Sequence, residues 1–113
     1  MNEINYYKQN EILKNNYYQI PQELFVNQLY KEKLNSDNKI LYAFLLDRLS
    51  LSQKNHLIDK ENKVYLIFTR EEVQEKLCLS DKTVTKAFKQ LTEVKLIEEK
   101  RQQKPLIKNM KIK

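Results

Sequence analysis

Two amphipathic stretches lie only three residues apart between Thr69 and Val94, and that spacing constrains the fold more than any other feature of the chain. Thr69-Arg-Glu-Glu72 has the form of a capping box, in which the threonine side chain accepts from the third helical amide and Glu72 reaches back. It predicts a helix over 70–77 with Val73 and Leu77 inward. Cys78-Leu79-Ser80 is a turn, and Ser80 can cap a second helix over about 81–94. The inward residues of that helix are Val84, Ala87, Phe88 and Leu91. Two short helices joined in this way form a helix-turn-helix, whose steep crossing projects one face of the second helix outward. At about 100° per residue from Val84, Lys82, Lys86, Lys89 and Glu93 fall near the opposite pole. Thr83 and Gln90 lie on one flank and Thr85 on the other.

Charge is concentrated in the same part of the chain. The net charge is +6, and residues 1–50 carry six basic and six acidic side chains that cancel. From Ser80 onward ten basic residues face four acids, Asp81, Glu93, Glu98 and Glu99, which alone accounts for the excess. A localised positive field attracts polyanions and raises association rates. The alternative is a solubilising tail. An α-helix fits the major groove of duplex DNA, where lysines neutralise phosphates and Thr, Gln and Lys reach base edges. The helix N-terminus favours a phosphate as well, with Asp81 opposing it slightly.

The remaining composition excludes several classes. Glycine is absent, which removes every glycine-rich phosphate loop and makes nucleotide hydrolysis an unexpected activity. Cys78 and His56 are the only residues of their kinds, so neither an intrachain disulfide nor the usual zinc site is possible. Tyr6, Tyr7, Tyr17 and Tyr18 raise the possibility of a tyrosine nucleophile that nicks DNA. Such enzymes need a metal held by several His or acidic ligands, and the sequence offers one His. No catalytic residue, metal or cofactor is expected. No apolar run approaches the ~18 residues of a membrane span, and the polar start does not resemble a targeting peptide. The expected location is the cytoplasm. Cys78 reads as a small buried apolar residue and His56 as a strand residue, exposed or half buried.

Along the chain, residues 1–16 read as a polar arm and 17–113 as one domain. Tyr17 to Pro21 reads as an extended segment packed on the core by Tyr17 and Tyr18, with Pro21 in the first turn of a helix that continues toward Leu34. Ser36 or Asp37 is placed to cap a helix over roughly 38–50. Ile40, Leu41, Phe44, Leu45 and Leu49 make it the central core helix, and 51–55 breaks the pattern. Residues 56–58 and 64–68 read as strands joined by a turn at Asp59-Lys-Glu-Asn62. Residues 95–101 and 106–113 read as a β-hairpin around Pro105. A helix-turn-helix followed by a basic hairpin is the order of a winged helix. The expected fold is therefore α+β and mainly helical: a winged helix with an N-terminal arm.

The stretches "YYQIPQELF", "KILYAFLLDRLSLSQKN", "LIDKENKVYLIFTREEVQEKL" and "LSDKTVTKAFKQLTEVKLIEEKRQ" resemble the N-terminal domain of the RepA_N family of plasmid replication initiators, over about residues 17–103. The resemblance implies a winged-helix domain that binds repeated double-stranded sites at a plasmid origin, usually as a dimer, and nucleates assembly of host replication proteins. It places Thr83, Lys86 and Lys89 on the recognition helix, and Lys100 and Arg101 on the wing. The full set of expected DNA-binding residues is Lys82, Thr83, Thr85, Lys86, Lys89, Gln90, Lys100, Arg101 and Lys104. Members of the family are longer, and their separate C-terminal domain lies outside these 113 residues. The hairpin near Asn62 and the wing, both glycine-free here, depart from the family pattern. A winged-helix transcriptional regulator and a protein-interaction module of the replication machinery are the alternatives.

Overall fold

The computed structural model describes residues 5–11 and 16–99, together with the backbone of 106 and 107. Among these residues it is mainly helical, with five helices and one short two-stranded sheet. In chain order they are α1 (Glu23–Val26), α2 (Gln28–Lys33), α3 (Ser36–Lys54), α4 (Arg70–Leu77), α5 (Asp81–Glu93), β1 (Ile97–Glu98) and β2 (Leu106–Ile107). None of the described helices is long and apolar enough to cross a membrane.

The single helix expected after Pro21 is two. Asn27 is extended, and its side-chain oxygen accepts from the Leu29 amide. Asn competes with the helix ladder in this way, so α1 ends and α2 begins at the same residue. Pro21 precedes α1 and accepts from the Leu24 amide through its carbonyl. Leu24 is fully buried, whereas Phe25, Val26 and Leu29 remain about half exposed or more.

α3 starts earlier and ends later than its apolar stripe suggests. Its cap is Asn35, not Ser36 or Asp37. The Asn35 side chain accepts from the Asn38 amide at 3.1 Å, and the Asn38 side chain accepts from the Asn35 amide at 2.9 Å. This asparagine pair is a reciprocal capping box. The helix then continues through Leu51-Ser-Gln-Lys54, with Ser52 buried.

α3, α4 and α5 pack around one core. Leu41, Tyr42, Phe44 and Leu45 of α3 meet Val73 of α4 and Val84, Ala87, Phe88 and Leu91 of α5. Leu24, Leu66, Leu96 and Ile97 are buried in the same cluster. Aromatic rings run through this core. Phe44 meets Phe68 edge-on at 6.4 Å, and Phe68 stacks on Phe88 at 5.7 Å. Tyr18 stands 6.1 Å from Phe44, which ties the extended segment to the core, although Tyr17 and Tyr18 are each about half exposed. Burial of its phenol pushes the Tyr42 pKa up to about 12.

The three long helices end by one device. His56, Cys78 and Lys95 adopt left-handed backbone, with φ of 56°, 56° and 63°. In each case the following amide reaches the carbonyl five residues back: Leu57 to Ser52, Leu79 to Gln74, and Leu96 to Leu91. Glycine usually supplies this geometry. With no glycine in the chain, ordinary residues carry its cost.

The device also corrects two expectations. Cys78 is exposed rather than buried, because the left-handed cap carries it out of the helix face. His56 is exposed in a turn rather than lying in a strand. The segments expected as strands at 56–58 and 64–68 meet at a bridge between Ile58 and Val64, with the Asp59 and Tyr65 amides donating to the Lys63 and Leu57 carbonyls, and they do not extend into a continuous ladder with each other. The turn between them forms at the expected residues. The Asp59 carboxylate accepts from the Glu61 and Lys63 amides, and Asn62 takes φ 64°. In the C-terminal hairpin β1 and β2 pair antiparallel, Ile97 with Ile107 and Glu98 with Leu106.

Candidate nucleic-acid interface

The site is built on α5 and begins at its cap. The Ser80 hydroxyl accepts from the Thr83 amide at 3.2 Å, so the helix starts at Asp81. Before it, Cys78 to Ser80 separate α5 from α4 and let both helices rest on the same core. The Asp81 carboxylate accepts from the Gln74 amide nitrogen at 3.1 Å, which joins the two helices across the turn.

The two faces of α5 are cleanly divided. Val84, Ala87, Phe88 and Leu91 are all at most 1% exposed. Lys82, Lys86 and Lys89 are exposed, as are Thr85 and Glu93. None of the three lysines forms an ion pair with a described residue. The pattern is a rod fixed by its apolar side, with three ammonium groups at the solvent pole. These groups can neutralise phosphates, and the neighbouring hydroxyl of Thr85 can donate or accept.

Thr83 and Gln90 lie on the flank nearer α3 and are half buried. Thr83 exchanges hydrogen bonds with Ser80 through its amide and its hydroxyl. Gln90 accepts from the side chain of Asn38 at 2.7 Å. Asn38 is fully buried, so this contact locks α5 to the start of α3. Lys82, Thr83, Lys86 and Gln90 line one shallow cleft with Asn35 and Asp37. Of the nine residues expected from sequence, α5 thus gathers six. Lys100, Arg101 and Lys104 lie outside the described residues.

Sequence reasoning missed two residues that hold the site in place. One is Asn38, whose only outward sign is its spacing from Asn35. The other is Arg70, at the first position of α4. Its guanidinium lies 3.9 Å from the centre of the Phe88 ring, on α5, and bonds both carboxylate oxygens of Glu99 at 3.0 and 3.1 Å. A cation at a helix N-terminus is electrostatically unfavourable, so Arg70 is retained there by its tertiary contacts. It ties α4, α5 and the chain just after β1 together.

Several known proteins resemble this chain. The family model described as "Replication initiator protein A (RepA) N-terminus" matches residues 16–111. A curated relative, the "41 kDa protein" of Lactobacillus helveticus, is 30% identical over 82 residues, and the match covers 73% of this chain. The chain spans only 23% of that relative's length in the match. Among solved structures, one described as "Structure of MDR initiator" superposes with a TM-score of 0.76 at 39% identity, covering 87% of this chain and 80% of that one. A second, "Structure of Rep-DNA complex", gives 0.74 at 34% identity over 87% and 78%. A third, "N-Terminal domain of DNA binding protein", gives 0.71 at 33% identity over 91% and 85%.

Proposed function

This chain belongs to the RepA_N family, the N-terminus of replication initiator protein A, and from that premise we propose that it binds double-stranded DNA at the repeated sites of a plasmid replication origin. The observation that carries the proposal is the divided surface of α5, with its apolar side sealed and Lys82, Lys86 and Lys89 exposed and unpaired among the described residues. Support comes from the likeness to a protein whose structure is described as a complex with DNA, at 34% identity.

In this reading α4, the turn and α5 are the helix-turn-helix of a winged helix, and the β1–β2 hairpin is the base of its wing. α5 enters the major groove. Lys82, Lys86 and Lys89 contact phosphates or bases, Thr83, Thr85 and Gln90 add polar contacts, and Lys100, Arg101 and Lys104 follow the backbone from the wing. Residues 1–16 form an arm and 17–113 the DNA-binding domain. The domain works in the cytoplasm as a homodimer on tandem repeats and brings host replication proteins to the origin. It performs no chemistry on the DNA and needs no metal or cofactor. Its contribution is affinity and position.

Fluorescence anisotropy tests this with two labelled duplexes, one carrying tandem repeats from within or beside the coding sequence and one with the same bases shuffled. The repeat duplex is expected to bind more tightly at every salt concentration. Log affinity should fall linearly with log salt, because bound phosphates release counterions. Lys86→Glu with Lys89→Glu should weaken binding by about 100-fold and flatten the salt slope. Equal affinity for both duplexes would remove the claim of sequence specificity, and unchanged affinity in the double variant would remove α5 as the contact.

A further inference from the structure

Asn38 fixes which end of the Gln90 amide faces outward. Its side-chain oxygen accepts from the Asn35 amide at 2.9 Å, and a backbone amide can only donate. The Asn38 side-chain nitrogen is therefore left to point the other way, toward Gln90. That nitrogen can only donate, so Gln90 must offer its oxygen, and the two atoms meet at 2.7 Å. The Gln90 nitrogen is turned away from Asn38. The chain of polarity is set at its far end by the cap of α3, and every link follows from the one before. Asn38 is fully buried, so water does not reach the donor end of the bond.

Gln90 itself is half buried on α5 and lines the cleft that also holds Lys82, Thr83 and Lys86. We infer that Asn38 is a positioning residue that locks Gln90 as a fixed hydrogen-bond donor toward DNA, so that Gln90 selects an acceptor and rejects a donor. The inference rests on the duplex-binding reading of α5. An unrestrained glutamine can present either its oxygen or its nitrogen, and so accommodates either kind of partner. A glutamine held at one end does not. The acceptor is a base-edge atom or a phosphate oxygen, and only the base edge would carry sequence information.

The test uses the whole chain and a pool of 30-base-pair duplexes with randomised centres, with the bound fraction sequenced and overall affinity measured. Gln90→Met removes the donor with little change of volume. Asn38→Asp, measured at a pH where its carboxyl is ionised, can only accept at both ends, so it turns the Gln90 oxygen outward without touching the DNA-facing residue. Thermal melting of each variant is recorded alongside. If the acceptor is a base, Gln90→Met should erase the preference at one base step and Asn38→Asp should change it at the same step. If it is a phosphate, each variant should weaken all sequences alike, by about 3- to 10-fold, the worth of one hydrogen bond. Gln90→Met with the affinity and preference of the unaltered chain overturns the inference. So does a folded Asn38→Asp that leaves both unchanged. Should Asn38→Asp fail to fold, Asn38→Ala replaces it: freeing the Gln90 amide to present either end should relax the preference or weaken binding, and a folded Asn38→Ala that matches the unaltered chain overturns the inference. Failure of the unaltered chain to bind any duplex is a different outcome, and it overturns the underlying reading of α5.

Discussion

α4 and α5 are neighbours across a three-residue turn, both capped by a hydroxyl and both resting on the same core, yet they use charge in opposite ways. Two charges near the start of α4 are engaged within the fold. Glu72 pairs with Arg48 of α3, and Arg70 pairs with Glu99 beyond β1. Arg48 also donates to the Ile67 carbonyl, so this pairing joins three segments of the chain. On α5 the lysines have no described ion-pair partner. Charge that a fold needs for itself is paired, and charge left at the solvent pole of a rigid helix is available to a ligand. The contrast predicts that substitutions on α4 act on stability and substitutions on the outer face of α5 act on binding.

The inner face of α5 is where the largest effect is expected. Phe88 is buried, stacks on Phe68 and lies beneath Arg70. Phe88→Ala should cost about 3–5 kcal/mol of stability, read from urea unfolding. It should reduce DNA affinity only through the loss of folded protein. A loss of affinity beyond the unfolded fraction would mean that the two faces of α5 are not independent.

The caps give a smaller and more discriminating comparison. Thr69 accepts from the Glu72 amide at the start of α4, and Ser80 from the Thr83 amide at the start of α5. Thr69→Ala and Ser80→Ala should each cost about 1 kcal/mol. Their effects on binding should differ. Ser80→Ala frays the turn that bears Lys82 and Thr83 and should weaken duplex binding at temperatures where the protein is still folded. Thr69→Ala should leave binding unchanged under the same conditions. Equal effects on binding would remove the proposed division of labour between the helices.

The same two helices show why part of this fold was legible in the sequence. Thr69 and Ser80 are strong cap signals, the apolar stripe of α5 has helical period, and both helices have the predicted starts. Boundaries failed where polar side chains rather than apolar ones decide them. Leu51-Ser-Gln-Lys54 has no stripe, yet it continues α3, with Ser52 buried and its carbonyl accepting from the Leu57 amide. Asn27 divides a continuous amphipathic pattern by capping α2 with its own side chain. Left-handed caps at His56, Cys78 and Lys95 are hard to foresee where glycine does not mark them. The His56 cap also shortens the strand expected at 56–58, so that segment meets Val64 at a bridge from Ile58 where alternation at Val64, Leu66 and Phe68 suggested a longer ladder. On the candidate site, the lysines were readable from helical spacing. The hold of Asn38 on Gln90 was not, because it links residues 52 positions apart through a buried amide.

The smallest expected effect is also the most specific to α4. The Arg48 guanidinium, through its hydrogen bond to the Glu72 carboxylate, holds that group below its ordinary value of 4.5, with further help from the Thr69 amide and the charge of Lys76. A carboxylate whose pKa is lower in the folded chain binds a proton less readily there than when unfolded, so it stabilises the fold above the unfolded value. That contribution is fully present at neutral pH and is lost as pH falls below 4.5 and through the folded pKa. The pair is partly exposed, with about a third of the Glu72 side chain accessible, so solvent screening keeps its worth within the ~0–1 kcal/mol of surface ion pairs. Glu72→Gln should therefore be slightly less stable than the unaltered chain at pH 7, and the two stability curves should converge as the pH drops below 4.5. Duplex affinity at pH 7 should be the same for both. A gap that persists to pH 3 would mean that Glu72 acts by shape or capping rather than charge, and a change in affinity would mean that α4 is not confined to holding the fold.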